Sequence, residues 1–362
     1  MNNPAILSLS SVVPNANLPQ MKILERMIEI FDLSEEQKNS FQRLYEQSGI
    51  NKRHSVLSEF LTPKDTWEFW GKDYPKTVPG TAKRNKVYKE EAPKLALNAA
   101  QIAISNWKGS PTDITHIIAI SCTGLMAPGI EFILQKELGL KDDIYRYGIN
   151  FMGCFGAFKG LSLANTIAKE SNQHRILIVC VELCSLHFQA ELTQDYILGN
   201  SLFADGAAAA IVGIPKTHEE PLYTIIRTNS LSLSNSENKM TWEISDQGFS
   251  MKLSSFVPGL ISRNIKEFCK RILGPITSVQ ESFWAIHPGG KSIIQAVERG
   301  LDLVKDQTNS SWNILRDFGN MSSSSFLFVL EHNKKNDHSY PYTAGVGFGP
   351  GLSMEGILLQ NV

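Results

Sequence analysis

Three side chains stand out for the chemistry they could share. Cys154 lies in INFMGCFG (residues 149–156), just ahead of a run with helical spacing over 155–170 whose buried stripe would be Phe158, Leu161, Ala164 and Ala168. A thiol at the first turn of a helix meets the positive end of the peptide dipoles. That predicts a pKa below the ordinary value of about 8.5 and a nucleophilic thiolate. Gly153 and Gly156 leave room for a tight turn and for a thioester close to the backbone. The competing reading is a small buried hydrophobe, the commonest fate of a free cysteine. His287 closes the apolar run of WAIHPGG (284–290), at a strand end of the kind where α/β proteins keep their chemistry. A packed or capped histidine would also suit that place. Asn320 sits in FGNMSS (318–323), a glycine-adjacent turn predicted to precede a strand. Asparagine in a turn commonly serves the backbone, but its carboxamide can also donate to a developing oxyanion. The three form a Cys, His, Asn set spaced by 133 and 33 residues, each at a junction between elements. Nucleophilic catalysis through a covalent thioester is the chemistry such a set supports.

The elements that must position these residues alternate apolar, β-rich runs with amphipathic stretches, which predicts an α/β fold. Strands are expected at 5–13, 116–121, 176–181, 207–212, 283–286, 326–330 and 356–359. Helices are expected at 21–31, 90–107, 155–170, 258–273 and 292–304, the last with Ile294, Val297, Leu301 and Val304 on one stripe. The polar–aromatic segment 67–78 reads as a surface excursion, and 309–311 and 334–339 read as loops. A Gly/Pro/charged stretch at 215–221 divides the chain into halves, 1–217 with the cysteine and 218–362 with the histidine and asparagine.

Length and composition bound the possibilities. The 362 residues suit two domains or one large duplicated one; 42% are apolar and 20% charged, enough for a substantial core. A formal charge of −1 argues against a nucleic-acid binder. No apolar run reaches the ~18 residues of a membrane span, and the first twenty residues lack the basic start of a secretory signal. Cysteines at 122, 154, 180, 184 and 269 form no CxxC pair, which suits free thiols in a reducing cytoplasm, with Cys180 and Cys184 in the core. No His/Cys/carboxylate spacing matches a metal site. Other histidines have poorer settings: His54 follows a basic pair, His174 adjoins Arg175, and His218, His332 and His338 fall in polar loops.

Seven collinear motifs then resemble one family: MGCFGAFKGLSLA around Cys154, CTGLMAPGIEF (122–132), LFADGAAAAIVG (202–213), VPGLISRNI (257–265), AIHPGG (285–290), FGNMSS (318–323) and GFGPGLSMEG (347–356). From about residue 50 onward the chain resembles the type III polyketide synthases of the chalcone/stilbene synthase superfamily, in a bacterial-like form at CVELCSLHF (180–188). The resemblance implies a thiolase-like fold of two similar α/β halves in five α-β-α-β-α layers, and a homodimer. It places a catalytic triad on Cys154, His287 and Asn320. It makes Phe203 a gate between a coenzyme A tunnel and the cavity, Pro350 part of a cyclising loop, and Gly289 and Ser322 substrate-binding neighbours of the triad. Lys52 and Arg53 fall where coenzyme A phosphates would be held, or else form a solvated helix end.

Departures from the family's pattern matter as well. Ala204 replaces a glycine, Met251 stands at the second gate aromatic, and Ala127 stands where plant enzymes extend a Met into the neighbouring subunit. His187 falls near a small cavity-lining Thr. The implied reaction loads an acyl-CoA starter on Cys154 and extends it with malonyl-CoA, without metal or redox cofactor. Flexible Met251 favours a fatty acyl starter and an alkylpyrone or alkylresorcinol product; all-malonyl naphthalene or phloroglucinol types and a chalcone type are the alternatives. An initiating ketoacyl-ACP synthase would share the triad but carry His-Gln-Ala-Asn where this chain has His287-Pro288-Gly289-Gly290. A Cys-His-Asn acyl hydrolase and a scaffold with a vestigial pocket are the remaining rivals.

Overall fold

The computed structural model describes residues 3–336 and 339–362. His338 therefore lies outside the described residues. The first half of the chain runs β1 (Ala5–Val12), β2 (Ala16–Pro19), α1 (Gln20–Ile30), α2 (Glu35–Gln47), β3 (Lys52–Ser55), α3 (Thr81–Trp107), β4 (His116–Ser121), α4 (Ile130–Glu137), β5 (Tyr145–Asn150), α5 (Gly156–Glu170), β6 (Arg175–Leu183), α6 (Gln194–Leu202) and β7 (Asp205–Gly213). The second half runs β8 (Tyr223–Ser232), β9 (Met240–Ser245), β10 (Gly248–Leu253), α7 (Val257–Leu273), β11 (Ser282–Ile286), α8 (Lys291–Leu301), α9 (Asn309–Phe318), α10 (Ser324–Lys335), β12 (Tyr342–Gly349) and β13 (Ser353–Asn361).

Nine strands form one sheet in the order β11-β12-β13-β8-β1-β7-β6-β4-β5. Its two parts repeat one plan: β1-β7-β6-β4 has the pairing directions of β8-β13-β12-β11, antiparallel, antiparallel, then parallel. The parts meet only where Ala5 and Ile6 pair with Thr224 and Tyr223. Helix α3 covers β1, β6 and β7, α7 and α8 pack together with α7 on β8 and β13, and α5 and α10 touch strands of both parts. The result is the expected five layers. Every residue of β6 and β7 is buried, as strands covered on both faces must be. Ala207 and Ala209 of β7 pack with the alanines of α3, while Ala208 and Ala210 face α5 and α10. Small side chains on both surfaces bring these helices close to the strand. Ser8 and Ser10 of β1 donate to the carbonyls of Ala103 and Ala99 at 2.6 Å, which ties β1 to α3.

Several expectations are corrected. The run 326–330 is not a strand but the interior of α10, where Phe326, Leu327, Val329 and Leu330 are all buried. A helix enclosed on all sides has no polar face, so its sequence carries no helical period. Residues 309–311 open α9, and α10 continues through His332 to Lys335, so neither stretch is simply a loop. Helix α8 stops at Leu301 because Asp302 turns left-handed at φ 55°, leaving Val304 outside and 59% exposed. The segment 67–78 is no plain surface excursion: Trp67, Phe69, Trp70 and Tyr74 are buried. Helix α3 begins at Thr81, earlier than its apolar spacing suggests, and carries Pro93 inside. No described helix is long and apolar enough to cross a membrane.

Candidate active site

Cys154 lies in a 3-10 turn, Gly153–Phe155, just before α5 rather than within its first turn. Gly153 adopts φ +72°, and a Cβ there would stand 2.4 Å from Pro350 Cδ, so Pro350 is pressed against the cysteine turn. Phe151 and Ser322 are non-glycine residues held at positive φ, 58° and 48°, on either side of the site. Such conformations persist only where the surroundings enforce them.

The expected acidic thiol is not what the environment produces. Cys154 is half-buried, yet desolvation at the foot of the cavity pushes its thiol up to about 11. Hydrogen bonds from the Ser322 hydroxyl and the Asn320 amide pull it down, and the nearby Glu182 carboxylate pushes it up. Burial outweighs the helix end.

Asn320 is fixed by its backbone and its side chain together. Its N–H donates to the Leu202 carbonyl at 3.0 Å, and its carbonyl accepts from Ala204 N at 2.9 Å. Its Oδ1 accepts from Ser322 N–H at 2.8 Å, which leaves the NH2 group for Gly289 O at 3.3 Å and for the sulfur. Gly289 in turn packs on His287: a Cβ on Gly289 would lie 3.6 Å from Nε2 of that ring. His287 follows β11, its N–H held by Val346 O at 2.9 Å. The ring is 1% exposed, both nitrogens lack a hydrogen-bond partner, and burial pushes its pKa down to about 3. A buried imidazole with two free nitrogens is a standing cost unless something else occupies it.

The cavity in front of Cys154 is lined by Cys122, Cys184, Phe203, Trp242, Met251, Ser322 and Pro350 among others. Of the anticipated residues, Phe203, Met251, Ser322 and Pro350 thus gather around Cys154, and Gly289 connects Asn320 to His287. Arg53 does not belong there. It is 4% exposed, and its guanidinium donates to Gln20 Oε1, Asn200 O and Phe203 O at 2.7–2.9 Å. A guanidinium buried inside the fold, with Nε and Nη1 bonded there and Nη2 enclosed, does not reach a phosphate at the surface, and Lys52 lines none of the described cavities. A wide groove beside Gly289 and Gly290 instead presents Arg43, Lys239, Lys252 and Lys291. Those cations are dispersed along the sequence, so no local signal marked them.

Two further residues escaped sequence reading. Glu182, at the end of β6, accepts from Cys122 N and Thr123 Oγ1 at 2.9 Å, and burial raises it to about 7. An acid closing a wholly apolar run was the available signal. Trp242 of β9 donates from Nε1 to Cys122 O at 2.7 Å and stands directly opposite Met251. His187 is buried and stacked on Phe249 at a centroid distance of 4.2 Å. Its Nδ1 accepts from Phe249 N–H, which leaves Nε2–H to donate to Thr123 O.

A duplicated α/β sheet is the plan of the thiolase-like condensing enzymes, and here the cysteine turn of one half lies against Asn320 and Ser322 of the other. Residues 2–215 match "Chalcone and stilbene synthases, N-terminal domain" and residues 225–362 match "Chalcone and stilbene synthases, C-terminal domain". The chain belongs to this family, that of the type III polyketide synthases. It is 34% identical over 369 residues to "Probable polyketide synthase 1" of Dictyostelium discoideum, covering 100% of this chain but only 12% of that protein. It is 30% identical over 374 residues to "Type III polyketide synthase A" of Arabidopsis thaliana, covering 99% of this chain and 92% of that one. Among solved structures, the C-terminal type III polyketide synthase domain of Steely1, a type I/III hybrid from Dictyostelium, superimposes with a TM-score of 0.94 at 33% identity over 100% of both chains. PKS-I of the brown alga Ectocarpus siliculosus gives 0.91 at 29%, over 100% of this chain and 99% of that one.

Proposed function

We propose that this chain carries an acyl starter on Cys154, extends it by decarboxylative condensation with malonyl-CoA and cyclises the product. The observation that supports this most is the Asn320 amide, locked as a donor toward the Cys154 sulfur beside a buried imidazole with no protein partner. With thiol and imidazole both held neutral by burial, His287 takes the thiol proton as sulfur attacks the starter thioester, then returns it to the departing coenzyme A thiolate. Malonyl-CoA next loses CO₂, and the electron pair left behind forms an enolate on the thioester oxygen. The N–H groups of Asn320 and His287 stabilise that oxygen. The enolate carbon attacks the Cys154 thioester, the S–C bond breaks, and a chain two carbons longer leaves as its coenzyme A thioester.

The groove with Arg43, Lys239, Lys252 and Lys291 suits the coenzyme A phosphates better than Lys52 and Arg53 do. The favoured starter is a fatty acyl-CoA, giving an alkylpyrone or alkylresorcinol. A homodimer fits the exposed edge strand β5, where Tyr145 is 63% exposed, beside α4, which exposes Phe132. We place the activity in the cytoplasm, with the two halves meeting near residue 217.

The test is mass spectrometry of the intact protein incubated with a panel of acyl-CoAs, followed by labelled malonyl-CoA. An acyl adduct absent from Cys154→Ala and chased into extended product is the expected result. Turnover of acyl-CoA without malonyl consumption would mean a hydrolase, and a preference for coumaroyl-CoA or malonyl-CoA would overturn the fatty starter.

A further inference from the structure

Helix α6 ends at Leu202, so the carbonyls of Asn200, Ser201, Leu202 and Phe203 find no donor in a further helical turn. Each is taken up from outside the helix. Arg53 Nη1 donates to Asn200 O at 2.8 Å and to Phe203 O at 2.7 Å. Gln20 Nε2 donates to Ser201 O at 2.8 Å. The backbone N–H of Asn320 donates to Leu202 O at 3.0 Å. One helix end is thus shared by a guanidinium from β3 and by the residue whose amide faces the Cys154 sulfur. A cation suits that place, because the carbonyl ends of the peptide dipoles converge at a helix C-terminus.

Arg53 meets the Asn320 turn in a second way. Gly319, the residue before Asn320, has φ +72°, and a Cβ on it would stand 2.9 Å from Arg53 Cγ and 2.9 Å from Leu202 O. The arginine stem and the turn therefore pack with no room for a side chain between them. Ala204 N–H, one residue past the carbonyl that Arg53 holds, donates to Asn320 O at 2.9 Å. A shift of Leu202–Ala204 would pass to Asn320 through two backbone hydrogen bonds. The guanidinium is itself oriented by Gln20, which is 2% exposed and accepts from Nε through its Oε1 at 2.9 Å. Nη2 is enclosed with no hydrogen-bond partner. A buried cation left incompletely paired is weak evidence for stability. A rigid fork bonded to two carbonyls three residues apart is, in contrast, a means of fixing where they lie.

We propose that Arg53 is a positioning residue for the oxyanion donor: it caps α6, fixes Leu202–Ala204 and thereby sets the place of the Asn320 amide. This rests on the polyketide synthase reading above and adds to its malonyl-CoA step a residue that touches neither substrate nor sulfur. Lysine at this position keeps the charge but brings one nitrogen where Arg53 uses two. A displaced amide stabilises the enolate oxygen less, and a misplacement of about 1 Å is enough to slow a step about 10²-fold. Attack of the thiol on a starter depends less on that amide and changes less.

The test measures ¹⁴CO₂ release from labelled malonyl-CoA in wild type, Arg53→Lys, Asn320→Ala and the double variant. In parallel it weighs the Cys154 adduct from hexanoyl-CoA or coumaroyl-CoA, whichever loads wild type faster. We expect Arg53→Lys to lower kcat for decarboxylation about 10–100-fold, with KM for malonyl-CoA within about twofold and adduct formation within about threefold of wild type. In the Asn320→Ala background the same substitution should change decarboxylation by less than about twofold, because the group it acts through is gone. Gln20→Leu keeps Arg53 but removes the acceptor that orients it; it should lower decarboxylation about 3–10-fold and decides the matter if Arg53→Lys does not fold. Decarboxylation unchanged in a folded variant, effects of Arg53→Lys and Asn320→Ala that multiply in full, or adduct formation falling as far as decarboxylation would each overturn the positioning role while leaving the synthase reading intact. A wild-type protein that forms no acyl adduct and releases no CO₂ from malonyl-CoA would overturn the synthase reading itself.

Discussion

Asn320 has little freedom left: its carbonyl oxygen is committed to Ser322 N–H and its backbone is bridged to residues 202 and 204, so the NH2 group is what remains for the site. Asn320→Ala should slow malonyl-CoA decarboxylation by about 10²–10³, roughly the 2.7–4 kcal/mol of one oxyanion donor. Loading of Cys154 should change only a few-fold, and parallel assays of ¹⁴CO₂ release and adduct mass separate the two. Gly153 is constrained differently, by a left-handed φ and by Pro350 at 2.4 Å from a would-be Cβ. Gly153→Ala should cost about 2–4 kcal/mol, combining strain at positive φ with overpacking, read as a lower urea midpoint. Both residues were visible in the sequence as members of motifs. The direction of the Cys154 pKa was not, because desolvation depends on what surrounds the sulfur and not on its neighbours along the chain.

Among the elements, β3 shows how a basic pair can mislead. Lys52 and Arg53 alternate across the strand, so one is partly exposed while the other is buried and donates to α1 and α6. Removing Arg53 leaves Gln20 Oε1 and two carbonyls without their donor. Arg53→Ala should therefore destabilise by about 3–5 kcal/mol, while Lys52→Ala should stay within about 0.5 kcal/mol. Denaturant unfolding of the two variants checks this, and neither difference is expected if both residues sit on a solvated surface. Strands β4, β6 and β7 and helices α5 and α7 were legible because buried strands read as continuous apolar runs and surface-facing helices carry a stripe. Helix α10 was misread because its first two turns, 324–330, are buried all round, and β5 was missed because nearly all of it is exposed.

For the molecule as a whole, several buried titratable groups make stability depend on pH in opposing ways. His187 and His287 are held near 3 by burial, against about 6.5 in the unfolded chain. Their neutral forms are accommodated in full above pH 6.5, and that stability is lost as pH falls from 6.5 toward 3, because only the unfolded chain takes up protons there. Glu182, raised to about 7, and Asp205, raised to about 6, act the other way: they cost stability as pH rises through 4 to 7. The two sets partly offset each other in that window, His116, lowered to about 4 by burial, adds to the histidine side, and a single substitution should shift the balance. Between pH 7 and 4.5, His187→Gln should gain on wild type by about 2–3 kcal/mol, whatever constant offset its lost hydrogen bonds impose. Parallel denaturation curves at the two pH values measure this, and an unchanged difference would show that His187 titrates in the fold as it does in the unfolded chain.

Residue order alone determined the α/β class and singled out Cys154, His287 and Asn320 as the candidates, because motifs and apolar runs are local in the chain. The tertiary structure decided which cations face the groove, that Arg53 is internal, that the cysteine turn sits in an environment that disfavours charge, and that Trp242 and Met251 meet at the Cys154 cavity. Those properties come from residues far apart in sequence being brought into contact, and burial and shape exist only once the chain has folded around them.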